Sequence, residues 1–548
     1  MIKAVVDIET DSLDATKIHC IVAKDYSSDK KEVWKQDECL NFSRWSKGID
    51  QFIMHNGVSF DAPILNRLTG SKIEPKQVRD TLIESQLDNP IREKGHSLKS
   101  WGEELKFPKK DFKEFSEYTS EMLEYCENDV ELTKKLAKHL DKTARFSPRS
   151  YDLERKVRTI IDQQEANGFA FDLNNAILLL NKLNDEQHSL EEKAKEMFEP
   201  KEIKMVTKTK YEPFNIASRK QIAEQLQKLG WKFSKKTDKN NIVINEAVLS
   251  EIPMEEAKMF NRYFLLQKRT GLLKSWISEC QDDRRVRGKV LTLRTLTGRM
   301  AHHSPNMAQV PAVYSPYGKE CRSLWTVSNP ETHYLVGTDA KGLELRCLAH
   351  FLDNEKYTKE VVEGDIHTVH QKLAELPTRD HAKTFIYAFL YGAGPYRIGQ
   401  VIGRDYLEGR ELIETFLNRM PSSLTDLKKK LEESANKDKS IVLPLDFRRL
   451  QVKPEREYAV LNTLIQGSGA VVCKQWLVDM ILGIQRLGLD AKLVVSVHDE
   501  YQFEVAKPDV KRFCSLTKEA IYKTEKTLEM RCALDCDYKV GKTWADTH

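Results

Sequence analysis

Residues 336–351 read VGTDAKGLELRCLAHF, and residues 494–500 read VVSVHDE. In YLVGTD an apolar, strand-like run delivers Asp339 at its end, with a turn through Gly342 after it. AKLVVSVHDEYQFEV reads as two strands joined by a tight turn, with His498, Asp499 and Glu500 at the tip. Taken singly, an aspartate at a strand end is more often a turn former than a ligand. The stretch between them, RDHAKTFIYAFLYGAG (379–394), changes that reading. There Arg379, Lys383, Tyr387 and Tyr391 recur every four residues and form one slowly drifting stripe on a helix. Thr378 is placed as its N-cap and Asp380 in its first turn. On neighbouring strands, Asp339 and Asp499 can bridge two magnesium ions ~3.5–4 Å apart. Arg379 with its fork and Lys383 as a point charge can neutralise a triphosphate. These are the requirements of phosphoryl transfer to a nucleic-acid end.

A second acidic constellation opens the chain. Asp7 and Glu9, in IKAVVDIET, occupy alternate strand positions and face one side. Asp61 follows the Asn56–Gly57 turn, and Tyr125 and Asp129 share a helix face in SEMLEYCENDVELTKKLAKHL. Four carboxylates at one site repel each other, and two metal ions resolve the conflict.

The spacing of these elements suggests how 548 residues, too many for one core, divide. The first ~145 residues alternate strands and helices. RFSPRSY (145–151) reads as a linker through Pro148. Long helical patterns then fill 151–280, β-like runs return after 285, and a largely helical insertion occupies about 362–440. Charged residues make up 31% of the chain, with a net charge of only +4. That balance fits acidic metal sites beside basic grooves. Within 201–240 eleven Lys/Arg face four Asp/Glu, a segment suited to phosphates. Ten scattered cysteines with no Cys-x-x-Cys pair imply small buried hydrophobes in a reducing cytoplasm. No membrane span or signal peptide is expected.

The three strings, in this order, resemble motifs A, B and C of the family A DNA polymerases, and particularly the replicative enzymes of T-odd bacteriophages. The resemblance implies an α/β (α+β multidomain) fold: a ribonuclease H-like 3'–5' exonuclease domain followed by a right-hand polymerase. The corresponding boundaries are 1–145 for the exonuclease, 146–285 for the thumb, 286–361 and 441–548 for the palm, and 362–440 for the fingers. It implies metal ligation by Asp339, the Ala340 carbonyl and Asp499, with Glu500 in support. His367, Arg379 and Lys383 would meet phosphate, Tyr387 the sugar or base, and Tyr391 the template stack. Glu344 would hydrogen-bond the fingers tyrosine and block a ribose 2'-hydroxyl, and Tyr387 implies ready use of dideoxynucleotides. Arg299 and Gln309, in TLTGRMAHHSPNMAQVP, would touch primer-template, as would Asn462, Gln466 and His498. Amides suit that task, because every correct pair shows minor-groove acceptors at similar positions. The N-terminal acids and Tyr125 resemble a DEDD-type proofreading site, with Tyr125 orienting the attacking water.

The implied cofactor is Mg2+, two ions in each site. The implied partners are primer-template DNA, deoxynucleoside triphosphates, and a phage helicase-primase and single-strand binding protein, with a monomeric enzyme in the host cytoplasm. Relatives carry a thumb insertion for host thioredoxin. Fewer than about twenty residues separate SLEEKAKEMF from NIASRKQIAEQL here, so thioredoxin is not expected as a partner. A flap-type 5' nuclease domain is not expected either. In LPLDFRRLQV, Phe447 replaces the glycine usual before the arginine pair that begins at Arg448. A single-subunit RNA polymerase shares the palm, and a degenerate DNA-binding scaffold is a third reading. Glu344 and the intact acids argue against them.

Overall fold

The opening run forms the strand Lys3–Thr10 in the computed structural model, which describes residues 1–204, 209–233, 242–452 and 459–548. The lysine-rich tract at 201–240 therefore lies partly outside the described residues. Lys3–Thr10 is central in a five-stranded sheet. It pairs antiparallel with Ile18–Asp25 and parallel with Gln51–Met54. Lys31–Lys35 and Val78–Asp80 form the edges. Side chains alternate across this strand as β geometry requires. Val5 joins Cys20, Val22 and Ile53 against Met122, Cys126 and Val130 of the helix Ser120–Thr143. Ala4, Val6 and Ile8 pack the opposite face with Phe52 and Leu65. Asp7 and Glu9, in phase with Val5, thus stand on the side of that helix. Thr119 caps the helix, accepting from the Met122 N–H at 3.1 Å.

Pro148 departs from its reading as a linker residue and opens the helix Pro148–Asn167. A proline is tolerated there because a first-turn N–H has no helical acceptor in any case.

The chain divides into two units. One comprises Met1–Asn167, Val290–His302 and Val336–Lys539, and the other Gly168–Lys289, His303–Leu335 and Val540–His548. In the first, a four-stranded sheet runs in the order Ala491–Val497, Glu500–Ala506, His333–Ala340, Cys536–Gly541. Val497 pairs with Glu500, leaving His498 and Asp499 as a two-residue loop. His498 takes the left-handed conformation at φ 57° that such loops need. Against this sheet lies the helix Ala459–Leu487, where Cys473 accepts from the Tyr501 hydroxyl at 2.9 Å and Trp476 donates to Thr517 at 3.0 Å. By length and composition this helix could cross a membrane, but 83% of its apolar window is buried, which marks a core helix. The helical insertion comprises Glu355–Val362, Ile366–Leu373, Arg379–Leu390, Pro395–Val401, Tyr406–Arg419 and Ser422–Asp438. Phe385, Phe389 and Phe416 form its aromatic core, with ring centroids 5.1 and 5.4 Å from Phe416.

The other unit rests on the helices Leu173–Met197 and Glu255–Glu279. The Tyr263 hydroxyl donates to Glu191 at 2.9 Å, and Arg262 pairs with Glu186 at 2.6 Å. Phe169–Phe171 is the middle strand of a small sheet between Trp325–Thr326 and Arg285–Val286. Trp325 packs there between Trp276 and Trp544, at 5.5 and 6.4 Å. Nine of the ten cysteines are buried, the use expected of small hydrophobes.

Candidate active site

Two adjacent strands set the first site. The Ala340 N–H donates to the Asp499 carbonyl at 3.1 Å, so the acids that end these strands are neighbours. Desolvation first, then the charges of Asp499, Glu500, Asp537 and Glu344, push the Asp339 carboxyl up to about 8. Because Asp339 stays open to solvent, the crowding of like charge is the cause that bears on cation binding. Desolvation and then Glu344 push Asp499 up to about 6, with Arg299 opposing. Glu500 is buried and accepts from the Gln502 amide at 2.6 Å. Asp537, on the next strand, was not singled out from sequence. Its only signal there is its alternation with Asp535, and Lys341 pairs with it at 3.3 Å.

Glu344, in the first turn of Leu343–Leu352, places one carboxylate oxygen between two donors. The Tyr391 hydroxyl donates to it at 3.0 Å and Arg299 at 3.2 Å. Tyr387 stacks on Tyr391, with centroids 6.3 Å apart at 29°. Burial, followed by the charges of Glu344, Asp499 and Asp339, raises the Tyr387 phenol. His367 lies 6.0 Å from Tyr387, and its Nδ1 is buried with no partner among the described residues. Burial and then Arg379 and Lys383 lower its pKa, so the two cations and this imidazole converge. The expected N-cap is present, with Thr378 accepting from the His381 N–H at 3.2 Å. Arg379 pairs with Asp365 at 2.7 Å, while Lys383 is exposed.

Arg299, His498 and Asp499 line one cleft together with Leu343, Gly469 and Cys473. Asn462 and Gln466 are four apart on the helix Ala459–Leu487, and the Asn462 Oδ1 is buried with no partner among the described residues. Gln309 lies in the other unit, exposed on the turn Met307–Gln309. Arg448 is not at the cleft surface. It is buried, donating to Glu154 at 2.7 Å and to Asp446 at 2.8 Å.

The N-terminal acids form the second site. Atoms of Asp7, Glu9 and Cys126 lie within 4.8 Å of one another. Burial and then Asp129 push Asp7 up to about 8, and burial and then Asp7 push Glu9 up to about 10. Asp61 is raised by burial and then by Asp7 and Asp80. The buried Asp80 holds the turn that launches Asp61, accepting from Asn56 at 2.9 Å and Val58 at 3.1 Å. Burial also raises Asp129, whose Oδ1 has no partner among the described residues. These donors are hard oxygens with unspent acceptor capacity, a set that fits divalent cations such as magnesium. Cys126 and Lys109 joined this cluster without notice in the sequence, since neither a lone thiol nor a loop lysine carries a spacing signal.

The family model for DNA polymerase family A matches residues 181–546. The DNA-directed DNA polymerases of Escherichia phage T7 and Enterobacteria phage T3 are each 28% identical over 710 aligned positions, covering 99% of both chains. DNA polymerase I of Geobacillus stearothermophilus is 28% identical over 48% of this chain and 32% of its own length. Among solved structures, the POL domain of Pol1 from M. smegmatis, in complex with DNA primer-template and dNTP, superposes with a TM-score of 0.80. It covers 100% of this chain and 96% of that one at 17% identity, a likeness of fold.

Proposed function

The chain belongs to DNA polymerase family A and is a DNA-directed DNA polymerase, and from this we propose that it extends primers at the Asp339/Asp499 site and edits them at the Asp7/Glu9/Asp61/Asp129 site. Members of the family use divalent metal ions. Here Asp339, the Ala340 carbonyl and Asp499 would hold magnesium, two ions to each site in our reading. Bound there, magnesium would supply Lewis-acid activation of the primer hydroxyl and neutralise the departing pyrophosphate. The remaining work falls to the chain. Arg379, Lys383 and His367 bind the triphosphate, so the incoming nucleotide is oriented before reaction. Tyr387 packs its sugar, and Glu344 closes the space beside C2'. Arg299, Gln309, Asn462, Gln466 and His498 read the primer-template, chiefly through minor-groove acceptors common to all correct pairs. In the editing site Tyr125 orients water toward the scissile phosphate.

The observation that carries the polymerase reading is the Ala340–Asp499 backbone bond, which makes the two strand-end aspartates neighbours. Replacing Asp499 with Asn tests it. Extension should fall below ~1% of wild type while DNA binding changes little, because a ligand and not a groove contact is lost. Retention of more than that rate would refute the assignment. We further propose a phage genome replicase acting as a monomer in the host cytoplasm, served by a helicase-primase and a single-strand binding protein.

A further inference from the structure

One cation sits inside the acidic editing cluster. Lys109 belongs to the loop between the helices Leu98–Glu104 and Ser120–Thr143, and its ammonium is ion-paired with Asp129. The same Nζ lies 4.6 Å from the centroid of the Tyr125 ring, within cation–π range. The Asp129 side chain is 4% exposed and that of Lys109 22%, so this is not a solvent-screened surface pair.

The loop is built to deliver this side chain. On one side of Lys109, the Phe107 N–H donates to the Gly102 carbonyl at 2.9 Å. On the other, the Lys110 N–H donates to Asn128 Oδ1 at 3.0 Å, next to Asp129 in the helix. A Cβ at Gly102 would stand 2.7 Å from the Phe107 carbonyl and 3.0 Å from the Lys109 N, so only glycine lets the loop seat this closely. Phe112 and Phe115 also pack against the Tyr125 ring, with centroids at 5.6 and 6.2 Å. A lysine tied down on both flanks loses little further freedom on pairing, the condition under which a buried ion pair is worth forming.

We propose that Lys109 is a positioning residue of the 3'–5' exonuclease, fixing the Asp129 carboxylate and the Tyr125 ring. The proposal rests on the editing function proposed above. Lys109 holds the ring of Tyr125, which must orient water, together with two phenylalanines.

The test uses the full-length chain with Lys109→Ala, Lys109→Arg and Lys109→Gln. Single-turnover degradation of a single-stranded oligonucleotide in magnesium is read beside primer extension and thermal unfolding in EDTA. Lys109→Ala should slow degradation by ~10-fold or more, the order of loss seen when one preorganised charge leaves a site, with extension retained. Lys109→Arg should degrade at least ~5-fold faster than Lys109→Ala, since a cation is restored. In EDTA the alanine variant should unfold ~2 °C or more below wild type, and adding Asp129→Asn should recover that loss. A smaller slowing, an arginine variant no faster than alanine, or an unchanged midpoint in EDTA would overturn the proposal. Should Lys109→Ala also lose extension, the Arg-against-Gln comparison decides on the same criteria. A wild-type chain without degradation that Asp7→Ala abolishes would instead remove the editing function itself, and this proposal with it.

Discussion

Tyr387 and Tyr391 occupy successive turns of one helix, yet their hydroxyls are committed differently. Tyr391 already donates to Glu344, which also accepts from Arg299. A phosphate oxygen is therefore the better partner for Tyr387, which could stand in for a missing sugar 3'-hydroxyl. Tyr387→Phe should reject dideoxynucleotides by at least ~10-fold and barely alter normal substrates, because a polar group buried without its bond costs ~1–3 kcal/mol. Equal dideoxy incorporation by both proteins would show that Tyr387 does not face the sugar. Glu344→Ala should raise ribonucleotide incorporation, measured as the ratio of the two substrate efficiencies, because the wall beside C2' is gone. An unchanged ratio would move that wall elsewhere. At Phe447 the backbone is left-handed, at φ 59°, and the ring is 56% exposed. A side chain there costs ~1–2 kcal/mol, and glycine relieves it at some entropic loss, so Phe447→Gly should raise unfolding stability by up to ~1 kcal/mol in urea titration. A fall in stability would mean that the exposed ring has a contact of its own. The positions of the strand-end acids and of the helix stripe were legible because each carried a local positional signal. The partners of Glu344 were legible only in outline, since a helix stripe names its members but not which hydroxyl reaches the carboxylate.

Among the elements, the helix Pro148–Asn167 does what a linker could not. It inserts Glu154, fully buried, between Arg448 of the hairpin Ser440–Val442/Arg449–Gln451 and Lys474 of the helix Ala459–Leu487. Lys474 also donates to the Thr292 carbonyl at 2.8 Å, which ties in the segment that leads to Arg299. Burial holds the Lys474 ammonium down, to about 8, with Glu154 opposing. Glu154→Ala would leave two buried cations short of a partner, at ~3–5 kcal/mol. The expected result is a lower denaturation midpoint together with slower extension, because this cluster steadies both the helix bearing Asn462 and Gln466 and the Arg299 segment. Normal stability in that variant would mean that water or Asp446 supplies the missing charge. None of this could be read from sequence, because its members are 294 and 320 residues from Glu154 and no periodicity links them. Local patterns did locate the strands of Asp7, Asp339 and Asp499, where alternation and turn residues act within a few positions.

At the scale of the whole molecule, both acidic sites lie in one unit, although their sheets pack separate cores. Asp7→Ala with Glu9→Ala should abolish degradation and leave extension within ~2-fold, as distinct cores transmit little of a change confined to one of them. A parallel collapse of extension would mean that the Glu154 cluster couples them. Chain length bears on what lies outside the molecule. The alignment with the phage T7 enzyme spans 710 positions, yet this chain has 548 residues, so long stretches of that relative have no counterpart here. Between the helices Leu173–Met197 and Arg219–Lys228, the described residues form the paired strands Lys201–Lys204 and Thr209–Glu212. The 21 residues between these two helices are too few to fold as a module of their own. Adding thioredoxin should therefore leave the product length per binding event unchanged within ~2-fold, measured with a DNA trap that prevents rebinding. A several-fold lengthening would place a docking surface elsewhere on this chain, and would mean that the long insertion of its relatives is not needed for that partnership.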